Sequence, residues 1–287
     1  MRNYDPKDWF HYIFSLKRTE TFKKLLPMLF CIGIYSLITT YLIVDLFQLS
    51  QENPLKHLIV IHNLLGVVIS LLLAYRTNTA YERWWEGRKL WGSMINNSRS
   101  LSLKLSVLLK DEEDLKFFRD LIPKYATTLQ KHLRDEVMDS LKLDEVDVDF
   151  ENYNHVPNQI AKMMFEKVNH IYLDKKITGD QYLVLNDEVI SFIEVCGACE
   201  RIKNTPIPYS YSSFIKKFVI FYVLTLPLAL AFSLSYLTVP VVVFVFYILA
   251  SLELIAEEIE DPFGTDANNL PTRKMANNIK NQVEELI

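Results

Sequence analysis

The chain has 287 residues, half of them hydrophobic and 23% charged, with a formal net charge of −4, seven glycines and three cysteines. Net acidity carries no nucleic-acid footprint, three cysteines cannot all pair within one chain, and so few glycines favour long helices with few tight turns. A slightly positive mean hydropathy beside that much charge fits neither a fully embedded nor a fully water-soluble protein, and predicts membrane helices joined to a sizeable soluble part.

In chain order, residues 1–24 are rich in base: Arg2, Lys7, Lys17, Arg18, Lys23 and Lys24. Asp5 and Asp8 interrupt the start and no small-residue cleavage site follows, so this is not a secretory signal. Leu25 to Val44 is uncharged and long enough as a helix to span roughly 30 Å, the hydrocarbon thickness of a bilayer. His57 to Tyr75 is a second apolar run, with His62, Asn63, Gly66 and Ser70 inside it. Phe218 to Leu252 is also uncharged and too long for one crossing; Ser235 to Pro240 offers a break that makes two spans of it. Four spans follow, with a buried hairpin in a soluble core as the alternative for the last two.

Between the second and third runs, Tyr81 to Tyr211 reads as helices. Leu115, Phe118, Ile122, Tyr125, Leu129, His132 and Leu133 form one apolar stripe at helical spacing. Ile160, Met163, Met164, Val168 and Ile171 form a second, and Gln181 to Ile202 holds a third, entered through Thr178-Gly179-Asp180 and ended by Pro206 and Pro208. The acidic, aperiodic stretch Asp139 to Asn154 reads as a loop. The predicted division is 1–24, a cytoplasmic N-terminal segment; 25–80, two transmembrane helices; 81–211, a cytoplasmic helical region; 212–256, two more transmembrane helices; and 257–287, a cytoplasmic C-terminal segment. The orientation follows from the bases. Only Lys56 lies between the first two spans, whereas Arg76, Arg83, Arg88 and Lys89 follow the second and Lys216 and Lys217 precede the third, which puts both termini inside.

Four constellations invite chemistry. In the second run, His62, Gly66 and Ser70 lie four apart beside Asn63. A polar stripe in hydrocarbon must face water or protein, so a water-lined pore face and interhelical packing both account for it. One helix cannot enclose a pore, and the pore reading therefore requires several copies about an axis. His57 and His62 are poorly placed on one helical face and lack a nearby carboxylate, so no metal ion is read there. Cys196-Gly-Ala-Cys199 is a lone C-x-x-C inside a helical stripe, better explained as two buried thiols than as a redox or zinc motif. Glu257, Glu258, Glu260 and Asp261 follow the last uncharged run, where a helix C-terminus disfavours anions. Basic groups such as Arg76 and Arg83 would offset them. Calcium is the other reading, since Asp261, Asp266, Asn268 and Asn269 offer oxygens, although their spacing is not that of an EF-hand. No catalytic motif or cofactor-binding loop is present in the sequence.

Three segments together resemble the bestrophin family, particularly its bacterial branch: Arg76-Thr-Asn-Thr-Ala-Tyr-Glu-Arg-Trp-Trp-Glu-Gly-Arg88, Cys199-Glu-Arg-Ile-Lys-Asn-Thr-Pro-Ile-Pro-Tyr209 and Glu258-Ile-Glu-Asp-Pro-Phe-Gly264. Their order and placement agree over roughly residues 20 to 275. The resemblance implies an all-α subunit of four transmembrane helices and a cytoplasmic helical region, assembled as a homopentameric channel with a single axial pore in the inner membrane. Animal and plant members conduct anions, while a bacterial member is described as conducting cations. Aligning the glycine of the family's neck with Gly66 places Ile59, Asn63 and Val67 on the pore, with His62, Gly66 and Ser70 as the neighbouring face. Asn63 stands where the family usually has a bulky apolar side chain. Counting back from Ile207-Pro208 places a second aperture near Asp180. The acidic run that helps animal members hold calcium is reduced here to Thr265-Asp-Ala-Asn-Asn269, too few carboxylates for a calcium clasp.

The expectation is a passive channel for small monovalent ions, cations favoured by a ring of Asp180 carboxylates. It has no enzymatic step, cofactor or resident metal, and its partners are copies of itself, the lipid membrane and inorganic ions. Glu257, Glu258, Glu260 and Asp261 are expected to act as a structural latch to Arg76 and Arg83, across a subunit boundary. An anion (chloride) channel of the same architecture is the alternative, with a membrane enzyme or a scaffold behind it.

Overall fold

A computed structural model describes residues 20–49, 53–136, 141–142, 147–148 and 154–287. Arg2, Lys7, Lys17 and Arg18, and most of the Asp139–Asn154 stretch, lie outside the described residues. Within them, every element longer than a single turn is an α-helix. The exception to helix is a two-residue antiparallel pairing of β1 (Leu141–Lys142) with β2 (Asp147–Val148), inside the stretch read as loop.

The chain forms two compact units. The first joins the described residues from 20 to 82 to Pro206–Glu260 and holds the apolar helices. Helix α1 (Glu20–Tyr41) continues into a π-helical turn at Leu42–Leu46. The turn closes through Phe47 N–H to the Leu42 carbonyl at 2.9 Å, and the chain turns off it at Gln48, whose φ is 41°. A 3-10 turn at Pro54–His57 then leads into α2 (Leu58–Leu108). Asn53 caps this start by accepting from the Leu55 N–H at 3.0 Å, with Pro54 at the first position, where its missing N–H costs nothing. Helix α6 (Tyr209–Leu234) and helix α7 (Thr238–Glu260) are separated by a 3-10 turn at Ser235–Leu237, where Ser235 takes a φ of 47°. Helices α1, α6 and α7 pack on one another around Leu25, Leu29, Val219, Val223, Val242 and Phe246.

Helix α2 is longer than the sequence reading anticipated. No proline interrupts it from Leu58 to Leu108, so it passes through Arg76–Arg88 without a break, and its 51 residues extend about 75 Å. That exceeds bilayer hydrocarbon more than twofold.

The second unit joins Arg83–Thr205 to Asp261–Ile287. Helix α3 (Glu112–His132) starts at Asp111, whose side chain accepts from the Glu113 N–H, with Glu112, Glu113 and Asp114 in the first turn where the dipole favours anions. Helix α4 (Val156–Leu173) is followed by α5 (Gly179–Asn204), which opens with a capping box between Thr178 and Gln181. The structure buries the apolar stripes: Phe118, Ile122, Tyr125 and Leu129 on α3, Ile160, Met164 and Val168 on α4, Leu185, Val189 and Phe192 on α5. Helix α8 (Thr272–Leu286) packs on α3 through Met275, Ile279 and Val283.

Candidate functional site

Helix α2 carries the predicted pore residues, and their surroundings divide them. His62 is 3% exposed; its Nε2 hydrogen-bonds Thr225 Oγ1 on α6 at 2.9 Å and its Nδ1 lies 3.0 Å from the Leu58 carbonyl. Gly66 lies against Tyr222, whose hydroxyl oxygen would be 3.1 Å from an added Cβ. This face of α2 is therefore closed by the subunit's own α6, and the histidine satisfies its polarity there. Asn63 is exposed, Val67 is 60% exposed, and Ile59 is half-buried. Ser70 is exposed and spends its hydroxyl proton on the Gly66 carbonyl at 2.7 Å. So His62 and Gly66 do not share the open face of Asn63 and Val67.

The acidic end of α7 meets bases of the same chain. Arg76, only 1% exposed, donates from Nη2 to Glu260 Oε2 at 2.6 Å, and its Nε lies 3.5 Å from Glu253 Oε1. Glu253 and Glu260 are two turns apart on one side of α7, so the guanidinium bridges them. The second Glu260 oxygen accepts the Ile207 N–H at 2.7 Å, fixing the chain just before α6. Glu258 is buried and takes Lys24 at 3.0 Å; Glu257, half exposed, takes Lys216 at 3.0 Å. Glu257, Glu258 and Glu260 of the predicted latch thus meet bases within the chain, where Lys24 and Lys216 join Arg76. Helices α1 and α6 bring these two lysines to α7, a juxtaposition invisible to spacing along the chain.

Arg83 caps instead. Its Nη1 donates to the Thr205 carbonyl at 2.6 Å and its Nη2 to the Ile202 carbonyl at 2.5 Å, at the C-terminus of α5 where the dipole prefers a cation. Asp261 turns its own chain, accepting the Phe263 N–H at 3.2 Å, and Asn269 donates to the Asp261 carbonyl. Phe263 is fully buried, and its carbonyl takes Arg134 Nε at 3.0 Å. Leu270 N–H closes the turn on the Pro262 carbonyl at 2.8 Å. Of the side-chain oxygens considered for calcium, that of Asp261 is thus engaged within this turn.

Asp180 is exposed in the first turn of α5, beside Leu103, Lys104 and Val107 near the end of α2. Its carboxylate suits a helix N-terminus, so a charge there costs the fold nothing. Cys196 and Cys199 are buried in α5; burial, reinforced by the negative charge of Glu200, pushes the Cys196 thiol up to about 12. Neutral thiols of this kind are packing groups, not nucleophiles.

One convergence escaped the sequence reading. His132 at the end of α3 and His155 at the start of α4 direct both Nε2 atoms at the same oxygen of Glu200, at 2.6 and 2.7 Å. Among the described residues it is the one set of three His, Cys, Asp or Glu side chains with converging donor atoms. In the sequence His132 belongs to an apolar stripe, and its place in the last turn of a helix is the one signal that sets it apart.

Long helices with large apolar side chains on their outer faces, such as Phe30, Leu64, Phe221 and Phe244, are those of a membrane protein. Thr21–Leu46, Pro54–Leu108 and Tyr209–Glu260 are each long and apolar enough to cross a bilayer, the last comprising both α6 and α7. The family model of the bacterial and fungal bestrophin proteins matches residues 1–285, and the chain belongs to that family. It is 32% identical to a voltage-dependent anion channel-forming protein of Nostoc sp., over 98% of this chain and 92% of that one. It is 34% identical to a protein of the same description from Escherichia coli K12, over 76% and 73%. A crystal structure of a bacterial bestrophin homologue from Klebsiella pneumoniae, 25% identical, superimposes with a TM-score of 0.81 over 91% of this chain and 98% of that one.

Proposed function

We propose that the protein is a homopentameric channel of the inner membrane that passes small monovalent ions passively, with cations favoured. Four helices per subunit cross the bilayer within residues 25–80 and 212–256; residues 1–24, 81–211 and 257–287 are cytoplasmic, as the distribution of basic residues directs. Five copies of α2 surround the axis. The observation that carries this reading is the division of α2: His62 and Gly66 are occupied by α6, while Asn63 and Val67 occupy an uncovered face that a neighbouring copy or a water column must meet. Ile59, Asn63 and Val67 form the neck, with Ser70 continuing it. Asp180 forms the cytoplasmic aperture, and five exposed carboxylates at a constriction attract cations and repel anions. Arg76 with Glu253 and Glu260, Lys24 with Glu258 and Lys216 with Glu257 anchor α7 inside each subunit.

A second reading, an anion channel of the same architecture, is favoured by the descriptions that the Nostoc and Escherichia coli relatives carry. Arg76 does not support it, being buried between two carboxylates. Reversal potentials of the purified protein in planar bilayers under a potassium chloride gradient decide between them. A value near the potassium equilibrium potential is expected, moving toward zero in Asp180→Asn. A value at the chloride equilibrium potential, unchanged by that substitution, would overturn the cation reading in favour of the anion channel.

A further inference from the structure

We propose that His132, His155 and Glu200 form a binding site for a divalent transition metal, with zinc as the representative ion. The set stands on three separate helical elements: His132 ends α3, His155 caps α4, and Glu200 lies in the last two turns of α5. All three donor atoms lie within 4.8 Å of one another. The two imidazole rings are 4.6 Å apart between centroids and tilted by 39°, so their Nε2 atoms converge on Glu200 without the rings colliding. Tetrahedral zinc, with bonds of about 2.0–2.1 Å to nitrogen and oxygen, needs its ligand atoms about 3.3 Å apart. The present separations of 2.6 and 2.7 Å from each Nε2 to the carboxylate oxygen therefore open by little more than half an ångström to admit an ion.

The donor set selects the ion. Two imidazoles and one carboxylate suit zinc and its neighbours, whereas calcium and magnesium take mostly oxygen ligands. Three protein ligands leave the fourth position to water. All three side chains are about one quarter to one third exposed, so an ion can reach them without the core opening. The thiols of Cys196 and Cys199 are buried and do not belong to the converging set. Lys203 approaches the His132 carbonyl, but its charge is matched by Asp135 at 2.5 Å.

Binding has a structural consequence that sets it apart from adventitious uptake. His155 Nδ1 accepts the Asn158 N–H at 3.2 Å and so caps α4. A histidine accepting at Nδ1 carries its proton on Nε2, which is the atom the metal needs. Coordination moves that proton to Nδ1, turns the acceptor into a donor, and releases the Asn158 amide. One capping bond is lost while three ligand bonds form, and those bonds tie α3, α4 and α5 together at one point.

The test uses the untagged full-length protein in detergent, stripped with a chelator and titrated with Zn2+ by calorimetry. One Zn2+ per chain at submicromolar affinity is expected, with no calcium binding in the same range. His132→Ala and His155→Asn, the latter keeping a good capping residue, should each weaken Zn2+ by about 100-fold or more, since even supporting residues cost 10–100-fold. Cys196→Ser with Cys199→Ser should leave affinity unchanged, and Zn2+ should accelerate hydrogen exchange at Asn158. Absence of stoichiometric Zn2+ binding to the wild-type chain would overturn the proposal. So would unchanged affinity in both histidine variants, loss of binding in the cysteine variant, or Asn158 exchange that does not respond to Zn2+. None of these outcomes depends on which ion the pore passes.

Discussion

The two units use the same residue types in opposite ways. In the unit of Arg83–Thr205 and Asp261–Ile287, the largest apolar side chains point inward: Trp91, Phe118, Phe192 and Phe263 are fully buried, and charges such as Lys167 and Lys176 gather on the buried Asp114 near the surface. In the unit of residues 20–82 and Pro206–Glu260, Phe30, Leu64 and Phe244 lie on the outside, while the inside holds charge, with Arg76 between Glu253 and Glu260. The contrast shows that burial in this protein is burial from two different solvents. Water drives the first unit to hide its aromatics; lipid lets the second display them and makes its polar groups find one another.

The largest effect expected from breaking this contrast is at its inverted centre. Arg76→Ala leaves Glu253 and Glu260 without their shared cation and should destabilise the protein by about 3–5 kcal/mol, the usual consequence of removing one partner from a buried ion pair. Thermal unfolding in detergent measures it; a variant that melts with the wild type would mean that the guanidinium is not the anchor. A paired substitution sharpens the same comparison. Phe118→Ala should cost about 3–5 kcal/mol through the cavity it opens, whereas Phe30→Ala, which changes only a surface facing lipid or detergent, should stay within about 0.5 kcal/mol. Equal losses at the two positions would show that the exposed face of α1 is packed in the assembled protein.

What could be read in the sequence follows the same physical line. Patterns local to one helix were visible: the stripes of α3, α4 and α5, the apolar runs, and Thr178 with Gln181 at the start of α5. Helix α8 went unread, although Met275, Ile279 and Val283 repeat every four residues, because its many polar residues obscured the stripe. The continuity of α2 was missed because a change from apolar to charged residues looks like an element boundary when only proline or a cap makes one. Partners between elements were not legible at all. Nothing in the spacing says that Lys24 meets Glu258, that His62 turns toward Thr225 rather than toward Asn63's face, or that His155 and Glu200 meet. Each of these depends on which helices become neighbours.

A smaller effect is expected where the turn Pro262-Phe-Gly264 seats against α2. A Cβ at Gly87 would come within 3.1 Å of Pro262 Cγ and 3.2 Å of the Phe263 ring. Phe263 is fully buried and cannot yield without disturbing its neighbours, so Gly87→Ala should cost about 1–3 kcal/mol by overpacking. Gly92→Ala is the control, because the nearest atom it would meet is 3.4 Å away at the end of the flexible Arg88 side chain. Equal melting temperatures for the two variants would remove the claim that Phe263 is wedged there.

The smallest effect concerns pH and belongs to the inward-facing core alone. Burial raises the Cys196 thiol from its ordinary 9.0 to about 12, and Glu200 adds to it. A group whose folded value is raised contributes stability that is complete below its unfolded value and is lost as pH rises through the folded one. Between about pH 9 and pH 12 the unfolded chain ionises this thiol while the folded chain does not, so stability falls across that window. Burial raises Cys199 and Tyr125 in the same direction, so removing one thiol should flatten the decline without abolishing it. Cys196→Ala should therefore show a shallower loss of melting temperature with alkalinity than the wild type, even if it begins slightly less stable at neutral pH. Parallel slopes would mean that water reaches Cys196 in the folded protein, and that the core around Tyr125 and Phe192 is looser than its T-shaped ring contact at 5.3 Å implies.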